Sequence, residues 1–378
     1  MPETIAYLDH NATTPVRPEV ADAIAEALTI AGNPSSVHRS GRAARQCIER
    51  ARARVAALVG ASMTEVVFTS GGTEANMLAV HGTGRSRVLM AATEHASTLE
   101  ALPESERIPV DGDGIVDLAA LEALLQGDPR PALVCVMLAN NETGTIQPVG
   151  EVVTVAHRHG ALMHCDAIQA AGKIPVDVVS LGVDLLSLSA HKIGGPAGSG
   201  ALIVRPGVAI SPLQRGGGQE RGRRAGTENV LGIAGFGAGA EVALATLPDS
   251  AKLEGLRDRL ESRLRLQMPM SMVIAAGAPR LPNTTCVSLP GVASDVQVMA
   301  LDLSGVAVSA GAACSSGKVG RSHVLAAMAV DERIAASTIR VSLGWTTSEH
   351  DVDRFVAAWS DLAARTAARR RDGIASAA

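Results

Sequence analysis

The chain has 378 residues, 47% of them hydrophobic and 2% aromatic, with a net charge of −4. That length predicts about two domains around substantial cores, and the interspersed charges give no support to a nucleic-acid surface or an anionic membrane partner. Five scattered cysteines (Cys47, Cys135, Cys165, Cys286 and Cys314) form no CxxC pair, so neither a disulfide framework nor a metal site is suggested and a reducing cytoplasm is the natural setting.

The start, MPETIAYLDHN, lacks a charged leader followed by an apolar stretch, and no segment approaches the ~20 apolar residues of a membrane span. The chain is therefore expected to be neither exported nor membrane-inserted. The one basic run, arginines 369–371, reads as a solvated helix end.

Between about residues 50 and 205, short β-rich runs alternate with helical patterns. EVVFTS, RVLMAAT, ALVCVMLAN, ALMHCDA and DLLSLSA are separated by stretches such as LAALEALLQG and VGEVVTVAHRHG. This rhythm predicts βαβ units and a mainly parallel sheet, and the continuous apolar strands predict helices on both of its faces. The glycine-dense QRGGGQERGRRAGTEN that follows reads as an irregular but specific loop. After the helix GIAGFGAGAEVALATL the pattern changes to a smaller α+β arrangement: a long helix, strands near MVIAAG, TTCVSL and VAVSA, and a final helix DVDRFVAAWSDLAARTA. We expect residues 16–248 to form a large domain, and residues 1–15 with 249–378 to form a small one.

The strongest chemical signal is DLLSLSAHKIGGPAGSG. Lys192 follows an apolar strand, and the carboxyl ends of strands are where open α/β sheets bind ligands. A lysine there suits a Schiff base with a carbonyl cofactor, which points to pyridoxal phosphate; a plain surface lysine is the weaker alternative.

That cofactor makes further demands. A protonated pyridine nitrogen needs a carboxylate, and Asp166 ends the strand ALMHCDA, though a lone aspartate could also cap a loop. The phosphate needs backbone N–H groups at a helix start, and TSGGTEAN offers Gly71, Gly72 and Thr73, with Ser189 and His191 as donors from the other side; glycine then threonine is also a common helix cap. His95 in MAATEHAS could stack on the ring and move protons, or be a packing residue. Arg340 in TIRVSLG could grip a substrate carboxylate or make a structural ion pair. Cys314 sits in VSAGAACSSGKVG among small residues that cannot bury it, which fits a reactive thiol and an incidental turn about equally.

Taken in order, YLDHNATTP, SGGTEAN, EHAS, NNETGTIQPV, HCDAIQAAGK, SAHKIGGPAGSG, GGGQERGRRAGTEN, AGAACSSG and IRVSLGWTT resemble a cysteine desulfurase of the class-V aminotransferase family, over residues 7 to about 350. The resemblance implies an α/β fold of the type I pyridoxal phosphate enzymes, with a mainly parallel seven-stranded sheet and a smaller α+β domain. It implies that Lys192 carries the cofactor, that Asp166 partners its ring nitrogen and that His95 stacks on the ring. Gly72, Thr73, Ser189 and His191 would form the phosphate cup, and Gln169 and Asn141 would bond near the phenolic oxygen and the substrate. Thr227 would reach the phosphate of a neighbouring subunit in a homodimer, and Arg340 with Asn33 would hold the carboxylate of L-cysteine.

The same resemblance implies that Cys314 takes the substrate's sulfur as a persulfide, leaving alanine, and passes it to an acceptor such as an iron–sulfur scaffold protein. Two positions depart from the family pattern: Met77, and Arg321 where proline is expected. A transaminase has no use for a thiol at Cys314, whereas a selenocysteine lyase would use the same machinery. A non-catalytic scaffold-binding adaptor would need neither Lys192 nor Cys314.

Overall fold

The computed structural model describes residues 5–311 and 321–375, with side chains to residue 367. Strand β1 (Ala6–Tyr7) comes first. Strands β2 (Val66–Thr69), β3 (Arg87–Ala91), β4 (Glu106–Ile108), β5 (Ala132–Cys135), β6 (Leu162–Asp166), β7 (Leu185–Ser189) and β8 (Gly200–Val204) form one seven-stranded sheet. Its order is β2-β8-β7-β6-β5-β3-β4, and β8 alone runs antiparallel to its neighbours.

Every residue of β2, β3, β5, β7 and β8 is buried. Successive side chains go to opposite faces, as strand geometry requires. Phe68, Leu89, Ala91, Val134, Leu186, Leu188 and Ile203 enter one apolar cluster. Val67, Val88, Met90, Leu133, Cys135, Leu185 and Leu202 enter the other. Burial on both sides removes the selection for polar residues at alternate positions, which is why these strands read as unbroken apolar runs. Cys135 and Cys165 are fully buried among them, as small hydrophobes. The sequence reading did not foresee β4 and β8; β8 hides in GSGALIVRPG, directly after a glycine- and proline-rich turn.

The outer layer on one face includes helices Pro18–Leu28, Arg39–Leu58 and Val230–Ala245. The last has small residues on most sides, and a Cβ at Gly237 would lie 2.5 Å from Ala51 Cα, so glycine is what lets the two helices approach. Within QRGGGQERGRRAGTEN, Glu220 and Arg221 adopt φ of 46° and 56°. The loop is irregular yet anchored: the Glu220 carboxylate accepts from Arg52 Nη1 at 2.7 Å, Arg52 Nη2 at 2.8 Å and Phe68 N at 2.8 Å. This charge pair is buried, and nothing local in the sequence paired its two partners.

The remaining strands are β9 (Met272–Val273), β10 (Thr284–Ser288), β11 (Val306–Ala307), β12 (Ser309–Ala310) and β13 (Thr338–Ser342). Four of them form an antiparallel sheet in the order β12-β13-β10-β9, while β11 pairs in parallel with β1. A separate apolar cluster joins Ala6 and Leu8 to Leu260, Val287, Ile339, Val341, Phe355 and Trp359. The chain's first strand is thus packed against its C-terminal third. On β13, Ile339 and Val341 face this cluster and Arg340, between them, must face the other way. Among the described residues no single helix is long and apolar enough to cross a membrane.

Candidate active site

A cavity of about 320 Å³ opens at the carboxyl ends of β6 and β7, where helix Gly72–Gly82 also begins. Open α/β sheets place ligands at this edge because helix N-termini and strand ends converge there. The cavity is lined by Gly72, Thr73, His95, Asn141, Asp166, Gln169, Ser189, His191, Lys192 and Arg340, so ten of the sequence-derived candidates come together. Asn33 does not: it lies on the loop before helix Arg39–Leu58, where Asn33 Oδ1 accepts from Ser35 N at 2.9 Å. Thr227 lines a separate depression with Thr69, Ser70 and Glu228. Cys314 lies outside the described residues.

Lys192 ends the 3-10 turn that follows β7, and Lys192 Nζ donates to the carbonyls of Asn11 at 2.6 Å and Ala12 at 2.7 Å. It also borders a second cavity, of about 260 Å³, on its other side. The acid and the helix start both face the first cavity, so the chemistry converges there.

Asp166 is the last residue of β6. Asp166 Oδ2 accepts from Asn76 Nδ2 at 2.8 Å and Asp166 Oδ1 from Ile168 N at 2.9 Å. Burial pushes its carboxyl up from the ordinary value, against the opposing pull of these two donors and of the nearby His95 and Lys192. A buried acid in that condition is suited to a cationic N–H partner in the cavity. Asn76 was not singled out from sequence, although it stands four residues after Gly72 and so on the same helix face.

The helix start is shaped for an anion. The N–H groups of Gly72, Thr73 and Glu74 precede the first intrahelical bond, Ala75 N to Gly71 O at 3.1 Å. A Cβ at Gly72 would fall 2.2 Å from Ile168 Cδ1, so a larger residue there would push the end of that side chain aside. His191 Nδ1 lies 3.2 Å from Thr13 Oγ1, and burial lowers its pKa to about 4, which leaves a neutral imidazole beside this cradle. His95 caps the short helix Ala96–Leu99, with His95 Nδ1 at 2.8 Å from Ser97 Oγ; burial is the chief reason its pKa is lowered.

Arg340 enters from the antiparallel sheet and is 3% exposed. Arg340 Nη1 donates to Asn141 O at 3.0 Å and Arg340 Nη2 to Asp9 Oδ1 at 2.9 Å. The structural ion pair weighed from sequence is therefore present, with Asp9 of YLDHN as the partner. Arg340 Nε is buried without a partner among the described residues, so a donor remains for a ligand in the cavity. The segment that carries Cys314 is bounded by described residues that contact the site's surroundings. Ser322 Oγ donates to Glu142 Oε2 at 2.6 Å, and His323 Nε2 lies 2.8 Å from Glu94 O. Arg321 pairs with Glu332 on the surface.

A lysine at one strand end, an acid at the next and a glycine-led helix start line one cavity, and residues 6–355 match the family model for aminotransferase class V. The chain is 46% identical to a cysteine desulfurase of Cereibacter sphaeroides and 44% identical to one of Klebsiella pneumoniae. These alignments cover 93% of this chain in both cases, and 93% and 91% of the relatives. Among solved structures, a NifS-like protein from Rickettsia africae superposes with a TM-score of 0.88 at 36% identity, covering 94% of this chain and 99% of that one. The chain belongs to the cysteine desulfurases of the class-V aminotransferase family.

Proposed function

We propose that this protein is a pyridoxal phosphate-dependent cysteine desulfurase that converts L-cysteine to L-alanine and holds the sulfur as a persulfide on Cys314. The observation that carries the reading is the convergence of Lys192, Asp166, the Gly72–Thr73 cradle and Arg340 on one cavity of about 320 Å³. The residues fit the cofactor: a buried acid for the pyridine nitrogen, N–H donors and a Cβ-free floor for the phosphate, and an amine for the aldehyde.

When bound, pyridoxal phosphate supplies the electron sink that lets bonds at the substrate's α and β carbons break heterolytically. The chain does the rest. Asp166 holds a proton on the ring nitrogen, His95 covers the ring face, and Ser189 and His191 close the phosphate cup. Gln169 and Asn141 direct the phenolic oxygen and the substrate. Arg340, assisted by Asn33, orients L-cysteine through its carboxylate. Lys192 Nζ moves the α-proton. Cys314 Sγ, as thiolate, attacks the substrate sulfur; the Cβ–S bond breaks with its electron pair left on carbon, and that carbon takes up a proton to give alanine.

Cysteine desulfurases use cysteine as substrate and are typically dimeric. We extend this to a cytoplasmic homodimer in which Thr227 serves the neighbouring subunit's phosphate. The proposal assigns residues 16–248 to cofactor binding, and residues 1–15 with 249–378 to substrate grip and sulfur transfer toward an iron–sulfur scaffold or other acceptor.

The test is sulfide release from L-cysteine in the presence of a reductant. Cys314→Ala should lose sulfide release while the absorbance band of the lysine-bound cofactor persists. Unchanged release would refute the role of Cys314, and a wild-type protein that gains no band with added cofactor would refute the whole reading.

A further inference from the structure

Lys173 is a buried lysine that the mechanism does not use. It follows Gln169 by four residues in IQAAGK, past the end of β6, and is 8% exposed. Lys173 Nζ donates to Gln169 Oε1 at 2.6 Å and to Asn11 Oδ1 at 2.9 Å. Burial drives its pKa well below the usual lysine range, and Lys192 and Arg340 add like-charge repulsion. Even a neutral amine has two N–H groups, enough for these two acceptors.

Both acceptors are amides, and an amine that gives its N–H groups to both fixes which way each amide faces. With Gln169 Oε1 held by Lys173, the opposite edge must present Nε2, which donates to Asn11 O at 2.9 Å. The flipped amide would set Oε1 against the Asn11 carbonyl, two acceptors face to face. The second N–H of the same Nε2 is left for whatever occupies the cavity that Gln169 lines. Asn11 is fixed in the same way. Its Oδ1 also accepts from Asn283 Nδ2 at 3.1 Å, so its Nδ2 donates to Thr284 Oγ1 at 2.9 Å and Asn141 O at 3.2 Å. The Asn11 carbonyl is the acceptor for Lys192 Nζ, and the Asn141 carbonyl is the acceptor for Arg340 Nη1.

We propose that Lys173 is a positioning residue: through Gln169 and Asn11 it fixes the Gln169 amide as a donor toward the cofactor cavity and seats the carbonyl on which Lys192 rests. The role rests on the cofactor reading above. It explains why a lysine stands where a hydrophobe would pack at no electrostatic cost.

The test compares wild type with Lys173→Met, which keeps volume and removes both donors. Both proteins are loaded with pyridoxal phosphate, and three quantities are read: cofactor affinity, the pH midpoint of the lysine-bound cofactor's absorbance band, and kcat and KM for L-cysteine. We expect about tenfold weaker cofactor binding, a displaced midpoint, and a loss in kcat larger than in KM. A folded Lys173→Met with wild-type affinity and midpoint overturns the proposal. Should Lys173→Met not fold, Lys173→Gln takes its place: one shorter amide cannot reach both acceptors, so a wild-type midpoint there overturns the proposal equally. A wild-type protein without the band would instead sink the cofactor reading, so the two failures are distinct.

Discussion

The two ends of the cavity are built differently. At one end, Asp166 and Lys192 stand on neighbouring parallel strands, β6 and β7, whose register is set by a sheet buried on both faces. At the other, Arg340 stands on an antiparallel strand and its partner Asp9 is 331 residues away in sequence. The first end is rigid because a one-residue slip would turn every apolar side chain of a strand to the wrong face. The second is set by contacts between the chain's beginning and its last third. On the proposed function, the contrast separates a cofactor end, placed by the sheet, from a substrate end, placed by an ion pair.

Asp166→Asn attacks the cofactor end and should have the largest effect. The amide keeps the shape but cannot hold a proton on the ring nitrogen, so kcat for L-cysteine should fall by about 10²-fold or more. Steady-state kinetics with the cofactor saturating would check this; a near-wild-type kcat would detach Asp166 from the chemistry.

Arg340→Lys attacks the substrate end. A point charge replaces a fork that holds Asn141 O and Asp9, so KM for L-cysteine should rise about tenfold or more while the cofactor band is unmoved. If the cofactor band shifts as much as KM does, the two ends are not separable in this way.

The smallest effect on activity is expected from Glu94→Gln, just behind the cofactor end. Burial pushes the Glu94 carboxyl up to about 8, and its Oε2 has no partner among the described residues. The folded protein therefore keeps a proton that the unfolded chain, with an ordinary value of 4.5, gives up. Glu94's contribution to stability is whole below about pH 4.5 and is lost as pH rises to about 8. Glu94→Gln should remove that slope, so its melting temperature relative to wild type should climb across this window. A difference that does not vary with pH would remove this assignment.

Much of the cofactor end was legible in the sequence because its signals are local. A strand, then HK; a strand, then an aspartate; a strand, then GGT: each is read within ten residues, since the strand-end rule ties chemistry to the position where an apolar run stops. The resemblance added residues that no local rule reaches, such as Gln169 and Thr227. Asn76 carried a weak signal in its helical spacing from Gly72, and Lys173 in its spacing from Gln169.

The sequence by itself determined that the large sheet is covered on both faces, because such burial leaves an unbroken apolar signature. It also placed Lys192, Asp166 and the Gly72–Thr73 helix start at strand ends. Only the tertiary structure decided that Asp9 holds Arg340, that Asn11 seats Lys192, that Glu220 locks to Arg52, and that Asn33 and Thr227 stand apart from the cavity. Those pairings join residues up to 331 positions apart, and hydrogen bonds between such partners leave no periodic pattern in the chain.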